Sequence, residues 1–165
     1  MPSRLTEPCF KIKNVDGLNN GRKSYKMYRQ IEWILWGDRL KQIIQLDNEL
    51  REKIKSFEKE SEKICWVLKQ KYESEFEKLG QHLVIELIRV QSGKSALKID
   101  VLEDNYESFI EIGIEQGKEY YPNGYIPIWK VKNDWFQKMG YLTDHNVDEI
   151  QSNIGRIVEE MLEDR

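Results

Sequence analysis

The feature that most constrains this chain is an interval without helix breakers. Neither proline nor glycine occurs between Gly37 and Gly80. Inside a helix Pro costs ~3 kcal/mol and Gly about 1 kcal/mol relative to Ala, so the interval is free to run as one helix. Its apolar residues supply the pattern. Ile43, Leu50, Phe57 and Ile64 recur seven apart, and Ile54 and Leu68 each follow one of them by four. That is the seam spacing of a short coiled coil. Ten basic and ten acidic residues between 38 and 79 fill the other faces. A helix over 38–80 would be roughly 63 Å long at about 1.5 Å per residue. A compact domain of 165 residues is only about 40 Å across. The spacing therefore predicts a projecting helix that pairs with a second copy. Ile43, Leu50, Ile54, Phe57, Ile64 and Leu68 form the expected assembly seam.

The period changes after Gly80. "HLVIELIRV" suits either a strand or the last turns of the helix. "SALKIDVLE" alternates Leu97, Ile99 and Val101 with polar residues. "YESFIEIGIEQ" and "YIPIWKVK" follow in the same manner. Alternation with turn residues between runs predicts an antiparallel meander of three or four strands with one solvated face. "NDWFQKMG" reads as a short helix. Val147, Ile150, Ile154, Ile157, Val158 and Met161 form the stripe of a final helix lying on the sheet. The expected class is α+β, a long coiled-coil-like helix followed by a small antiparallel sheet packed by a C-terminal helix. The expected divisions are a basic arm and apolar helix (1–37), the long helix (38–80) and a small α+β domain (81–165).

Charge and cysteine usage bound the setting. The net charge of −3 does not favour nonspecific binding of nucleic acid. Residues 1–30 nevertheless carry seven basic and two acidic side chains, and 143–165 carry two and seven. Cys9 and Cys65 form no framework of disulfides or metal ligands. With no apolar leader at "MPSRLTEPCFKIK" and no apolar run of about 20 residues, the expectation is a reduced, cytoplasmic protein without membrane contact. Ala96 is the sole alanine, a bias that suggests a bacterial or phage genome.

No motif for catalysis is complete. "QSGKSAL" ends like a phosphate-binding loop, but Ile88 stands where its first glycine belongs, so a hairpin turn is expected. Asp100, Glu111 and Glu115 lie on adjacent expected strands, where acidic groups can hold Mg²⁺ for phosphodiester cleavage. The lysine of the restriction-nuclease pattern is missing, because Gly113 follows Glu111 by two. His82 and His145 are the only histidines and belong to no zinc pattern. No metal and no cofactor is expected.

The aromatic stretch "YYPNGYIPIWKVKNDWF" carries the remaining signal. Alternation assigns Trp129, Ile126 and Ile128, with Trp135 and Phe136, to the core. Tyr120, Tyr121 and Tyr125 flank a turn within an expected loop over 116–125. Tyrosines give large contacts at small entropic cost. The sequence thus points to a non-catalytic interaction protein, homo-oligomeric through the long helix, that binds a protein partner through these tyrosines. The alternative is a nucleic-acid-associated or Mg²⁺-dependent nuclease-like protein. It would use Asp100, Glu111 and Glu115, or a basic arm with Arg22, Lys23, Lys26 and Arg29.

Overall fold

The computed structural model describes residues 40–133 and 135–164. A short strand, β1 (Leu40–Ile43), leads into helix α1 (Asn48–Glu77). Then come β2 (His82–Gln91), β3 (Lys94–Ser95), a single 3-10 turn (Lys98–Asp100), β4 (Tyr106–Gln116), β5 (Glu119–Asn133) and β6 (Lys138–Thr143). Helix α2 (Val147–Glu163) follows. The strands form one six-stranded sheet in the order β1-β6-β5-β4-β2-β3, antiparallel at every step. The α+β class therefore holds, but three or four strands becomes six. The two extra strands are short, β1 and β3, and both lie at sheet edges.

The long helix is also shorter than the breaker-free interval. Asp47 accepts from the Leu50 amide at 2.9 Å and caps α1. Cap formation by an aspartate competes with continuing the helix upstream, and residues 40–43 pair with β6 instead. Thirty residues make a helix of about 45 Å. It does not project. It lies along β2 and against α2, so its apolar stripe is covered by its own sheet. Leu50, Ile54 and Leu68 of the expected seam are buried in that core, Phe57 and Ile64 pack at its margin, and Ile43 belongs to β1.

Both helices cover the same face. Leu83, Ile85, Ile110, Ile112, Ile114, Ile126 and Trp129 point toward them, with Ile150, Ile154 and Val158 of α2 completing the layer. Asn146 and Glu149 cap α2 reciprocally, the capping box that fixes where the stripe begins. The second sheet face is not the wet face that alternation suggests. Val84, Val90, Phe109 and even Glu111 are buried there.

Two irregularities in β5 explain where simple alternation fails. Ser108 pairs with Trp129 while Phe109 pairs with Pro127, leaving Ile128 as a bulge. A second shift skips Asn123. One extra residue inverts the side-chain parity beyond it. Trp129 and Val131 thus join Ile126 on the helix side, although alternation puts them on opposite faces. Trp129 then fills the place of a side chain at Gly140 and donates from Nε1 to the Val101 carbonyl. Pro127 lies in the part of β5 that β6 does not reach, so its missing N–H costs no ladder bond there.

Three further expectations are corrected. "SALKIDVLE" leaves the sheet after Ser95, and Leu97 and Ile99 are 66% and 67% exposed. "NDWFQKMG" is a bend followed by β6 rather than a helix. Trp135 and Phe136 are 94% and 99% exposed on that connection, not core.

Candidate functional site

β2 lies next to the edge of the sheet, and β3 shields little of it. β3 pairs only with Val90 and Gln91 through the Ser92-Gly93 turn, where both central residues have positive φ. From His82 to Ile88 the outer side of β2 has no strand partner among the described residues. One hydrogen bond fixes which groups point outward. The Ala96 amide donates to the Arg89 carbonyl, on the β3 side, at 3.1 Å. In an antiparallel strand the N–H and C=O of one residue point to the same side, and successive residues alternate. The amides and carbonyls of Leu83, Ile85 and Leu87 therefore face outward with Arg89's. Those of Val84, Glu86 and Ile88 face β4.

An ionic cluster holds α1 over this edge. Arg89 donates from Nε to Glu58 Oε2 at 2.6 Å and from Nη1 to Glu62 Oε1 at 2.7 Å. Tyr106 donates to Glu58 Oε1 at 2.8 Å, and Lys98 to Glu62 Oε2 at 2.8 Å. The Glu58 side chain is 1% exposed and that of Arg89 10%. Burial and the adjacent Glu58 carboxylate push the Tyr106 phenol well up, so it stays a donor. Burial alone would raise Glu62, but its bonds to Lys98 and Arg89 outweigh that and hold it below its ordinary value. Burial likewise opposes the Arg89 charge, and Glu58 and Glu62 more than restore it.

Helical spacing then defines the flank of α1 beside the open edge. Glu62, Trp66, Lys69, Glu73 and Glu77 follow one another at three or four residues and share one side. Trp66 is 65% exposed. At the far end, Glu73, Glu77 and His82 bring three potential ligand atoms within 4.8 Å of one another. Two carboxylates and an imidazole at that distance suit a positively charged group. Leu97 and Ile99 flank Lys98, which places them near the Glu62 end.

The residues singled out from sequence do not form a site together. Asp100 lies in the 3-10 turn, where it accepts from the Leu97 amide at 2.9 Å. Glu111 is buried in the middle of β4 opposite Glu86 and Tyr125, and Glu115 is exposed near its end. Residues four apart in a strand are about 13 Å apart, so the three acids share no metal. Tyr120, Tyr121 and Tyr125 lie within β5, not a loop, and all are half-buried. Tyr125 donates to Glu107 at 2.7 Å and its ring lies 4.6 Å from that of Phe109. Tyr120 occupies the space above Gly113. Arg22, Lys23, Lys26 and Arg29 lie outside the described residues. A cleft of ≈ 200 Å³ lies between α1 and the β6–α2 corner, lined by Phe57, Leu142 and His145. It is smaller than the usual small-molecule site of about 300–1,000 Å³.

Sequence reasoning missed both the open edge and the flank above it. The available signal was the pairing of Glu73 with Glu77 one turn apart and His82 just beyond Gly80. No known family model, curated protein or solved structure matches this chain. Among the described residues, no helix is long and apolar enough to cross a membrane.

Proposed function

We propose that this protein is a non-catalytic interaction module that accepts an extended segment of a protein partner on the outer edge of β2. The observation that carries this reading is the stretch from His82 to Ile88, which has no strand partner on its outer side among the described residues, with the N–H and C=O groups of Leu83, Ile85 and Leu87 directed outward. A strand edge of that kind templates the addition of another strand, in which main-chain bonds supply affinity and flanking pockets supply selectivity. The reading keeps a protein as partner and moves the contact from the tyrosines of β5 and the heptad seam to this edge.

The test is a proline substitution whose effect depends on parity. Leu87→Pro removes an outward N–H and leaves the bonds of Glu86 and Ile88 to β4 in place. A displayed library of random dodecapeptides is selected on the wild-type chain. Enriched peptides should bind wild type and lose at least about tenfold in affinity, or 1.4 kcal/mol, on the Leu87→Pro variant. Circular dichroism checks that the variant is folded. If no peptide enriches, or the enriched peptides ignore Leu87→Pro, the reading is wrong.

A further inference from the structure

The open edge and the flank above it together specify what kind of segment fits. We infer that the partner is a bare extended segment, antiparallel to β2. It carries an apolar side chain opposite Leu87 and a lysine or arginine four residues later opposite Leu83. This inference rests on the edge-binding reading above and deepens it.

The first step excludes a second copy on the same edge. Strands in a sheet are about 4.8 Å apart. Because α1 lies along β2, a second copy paired there would set its own α1 about 5 Å from the first. Packed helices stay 8–10 Å apart. Only a strand without a covering helix has room, which favours a short extended segment.

The second step matches positions along the edge. Helix α1 runs opposite to β2, since Glu62 meets Arg89 and Glu73 and Glu77 meet His82. From Glu62, Trp66 is about 6 Å further along the helix, which is about two strand residues. Trp66 therefore stands beside Leu87. Glu73 is about 16 Å from Glu62, or about five strand residues, beside Val84 and Leu83. In an added strand, side chains opposite Leu87, Ile85 and Leu83 all point to the helix side. A residue opposite Leu87 thus meets the exposed Trp66 ring. One opposite Leu83 meets the Glu73 and Glu77 carboxylates.

The third step is charge. Glu62 is already engaged by Arg89 and Lys98. Among the described residues Glu73 and Glu77 form no ion pair with a lysine or arginine, and their carboxylates converge with His82. An ammonium or guanidinium placed there gains two partners at once. Trp66 offers an apolar ring or, for an arginine at the first position, a cation-binding face. Antiparallel addition is the more stable pairing, so the apolar residue comes first and the basic one follows.

The probe is a fluorescein-labelled nonapeptide of threonine with leucine third and lysine seventh, compared with the same peptide bearing glutamate seventh. The lysine peptide should bind at least about tenfold tighter by anisotropy at low salt. The double variant Glu73→Lys, Glu77→Lys should reverse that order, and Trp66→Ala should weaken the lysine peptide at least about fivefold. Trp66 and Glu77 are exposed and Glu73 is half-buried, so circular dichroism checks that the variants are folded. Equal affinity for both peptides, or indifference to the charge reversal, overturns the inference. If library peptides are still lost with Leu87→Pro, the edge-binding reading survives that result. Residues 1–39 are a rival occupant. If deleting 1–39 creates peptide binding that the full chain lacks, the edge belongs to the chain itself and the proposed partner is wrong.

Discussion

Removal of Arg89 should be among the most damaging changes in this domain. Arg89→Met keeps the apolar stem of the side chain, so the comparison isolates the guanidinium. Glu58 has a side chain 1% exposed and, among the described residues, keeps only the Tyr106 hydroxyl as partner once Arg89 is gone. Breaking a buried pair by removing one member typically costs about 3–5 kcal/mol, because the remaining charge is left without compensation. That is a fifth or more of the usual stability of about 5–15 kcal/mol. With a urea dependence of about 1–3 kcal/mol per molar, the midpoint should fall by about 1–5 M. The triple variant Glu58→Leu, Arg89→Met, Tyr106→Phe replaces the network with apolar groups and should recover to within about 2 kcal/mol of wild type. A cycle between Glu58 and Arg89 should return a coupling of at least about 2 kcal/mol. Equilibrium urea unfolding followed by far-ultraviolet circular dichroism measures all of these. If Arg89→Met costs less than about 1 kcal/mol, the network is solvated and the reasoning about desolvation is wrong.

Two further outcomes follow from packing. Burial pushes the Cys65 thiol up to about 12, so in a Cys9→Ser background a disulfide reagent at pH 8 should react only as fast as the domain opens; rapid stoichiometric labelling would contradict this. Gly140→Ala places a methyl group against the six-membered ring of Trp129, itself 1% exposed, and should cost about 1–3 kcal/mol in urea unfolding; an unchanged midpoint would show that the indole can shift.

What could be read from sequence depended on how far a local pattern decides its own outcome. The α2 stripe from Ile150 to Met161 was legible because its period and its burial agree, while the cap that fixes its start is Asn146 rather than the expected Thr143 or Asp144. The central strand "YESFIEIGIEQ" was legible as a strand from its alternation, but not its burial, which covers both faces from Phe109 to Ile114. The extent of α1 was overestimated because the absence of breakers permits a helix without requiring one, and pairing of residues 40–43 with β6 outweighed the propensity. The face assignment in β5 failed at Ile128, since a bulge leaves no mark on alternation until pairing with Ser108 and Phe109 is known. The apolar pair Leu97 and Ile99 looked like strand and is exposed, because β3 stops after two residues. The candidate site was hidden for a different reason. An open edge is a property of what fails to pair with β2, and no residue within β2 encodes that.

The order of the strands also divides the domain by the distance along the chain that each contact must close. Helix α1 and β2 are joined by a single turn at Gly80, with φ of +71°. Their shared contacts therefore require little loop closure. β1 is different, since Leu40 pairs with Thr143 across about a hundred residues of chain. Closing such a loop costs entropy that grows with the logarithm of its length, and the four residues of β1 return few bonds for it. Pairing of β1 thus carries the largest loop-closure cost in the sheet. The strand that comes earliest among the described elements is the one whose pairing closes the longest loop, and its release would move that edge of the sheet from β1 to β6.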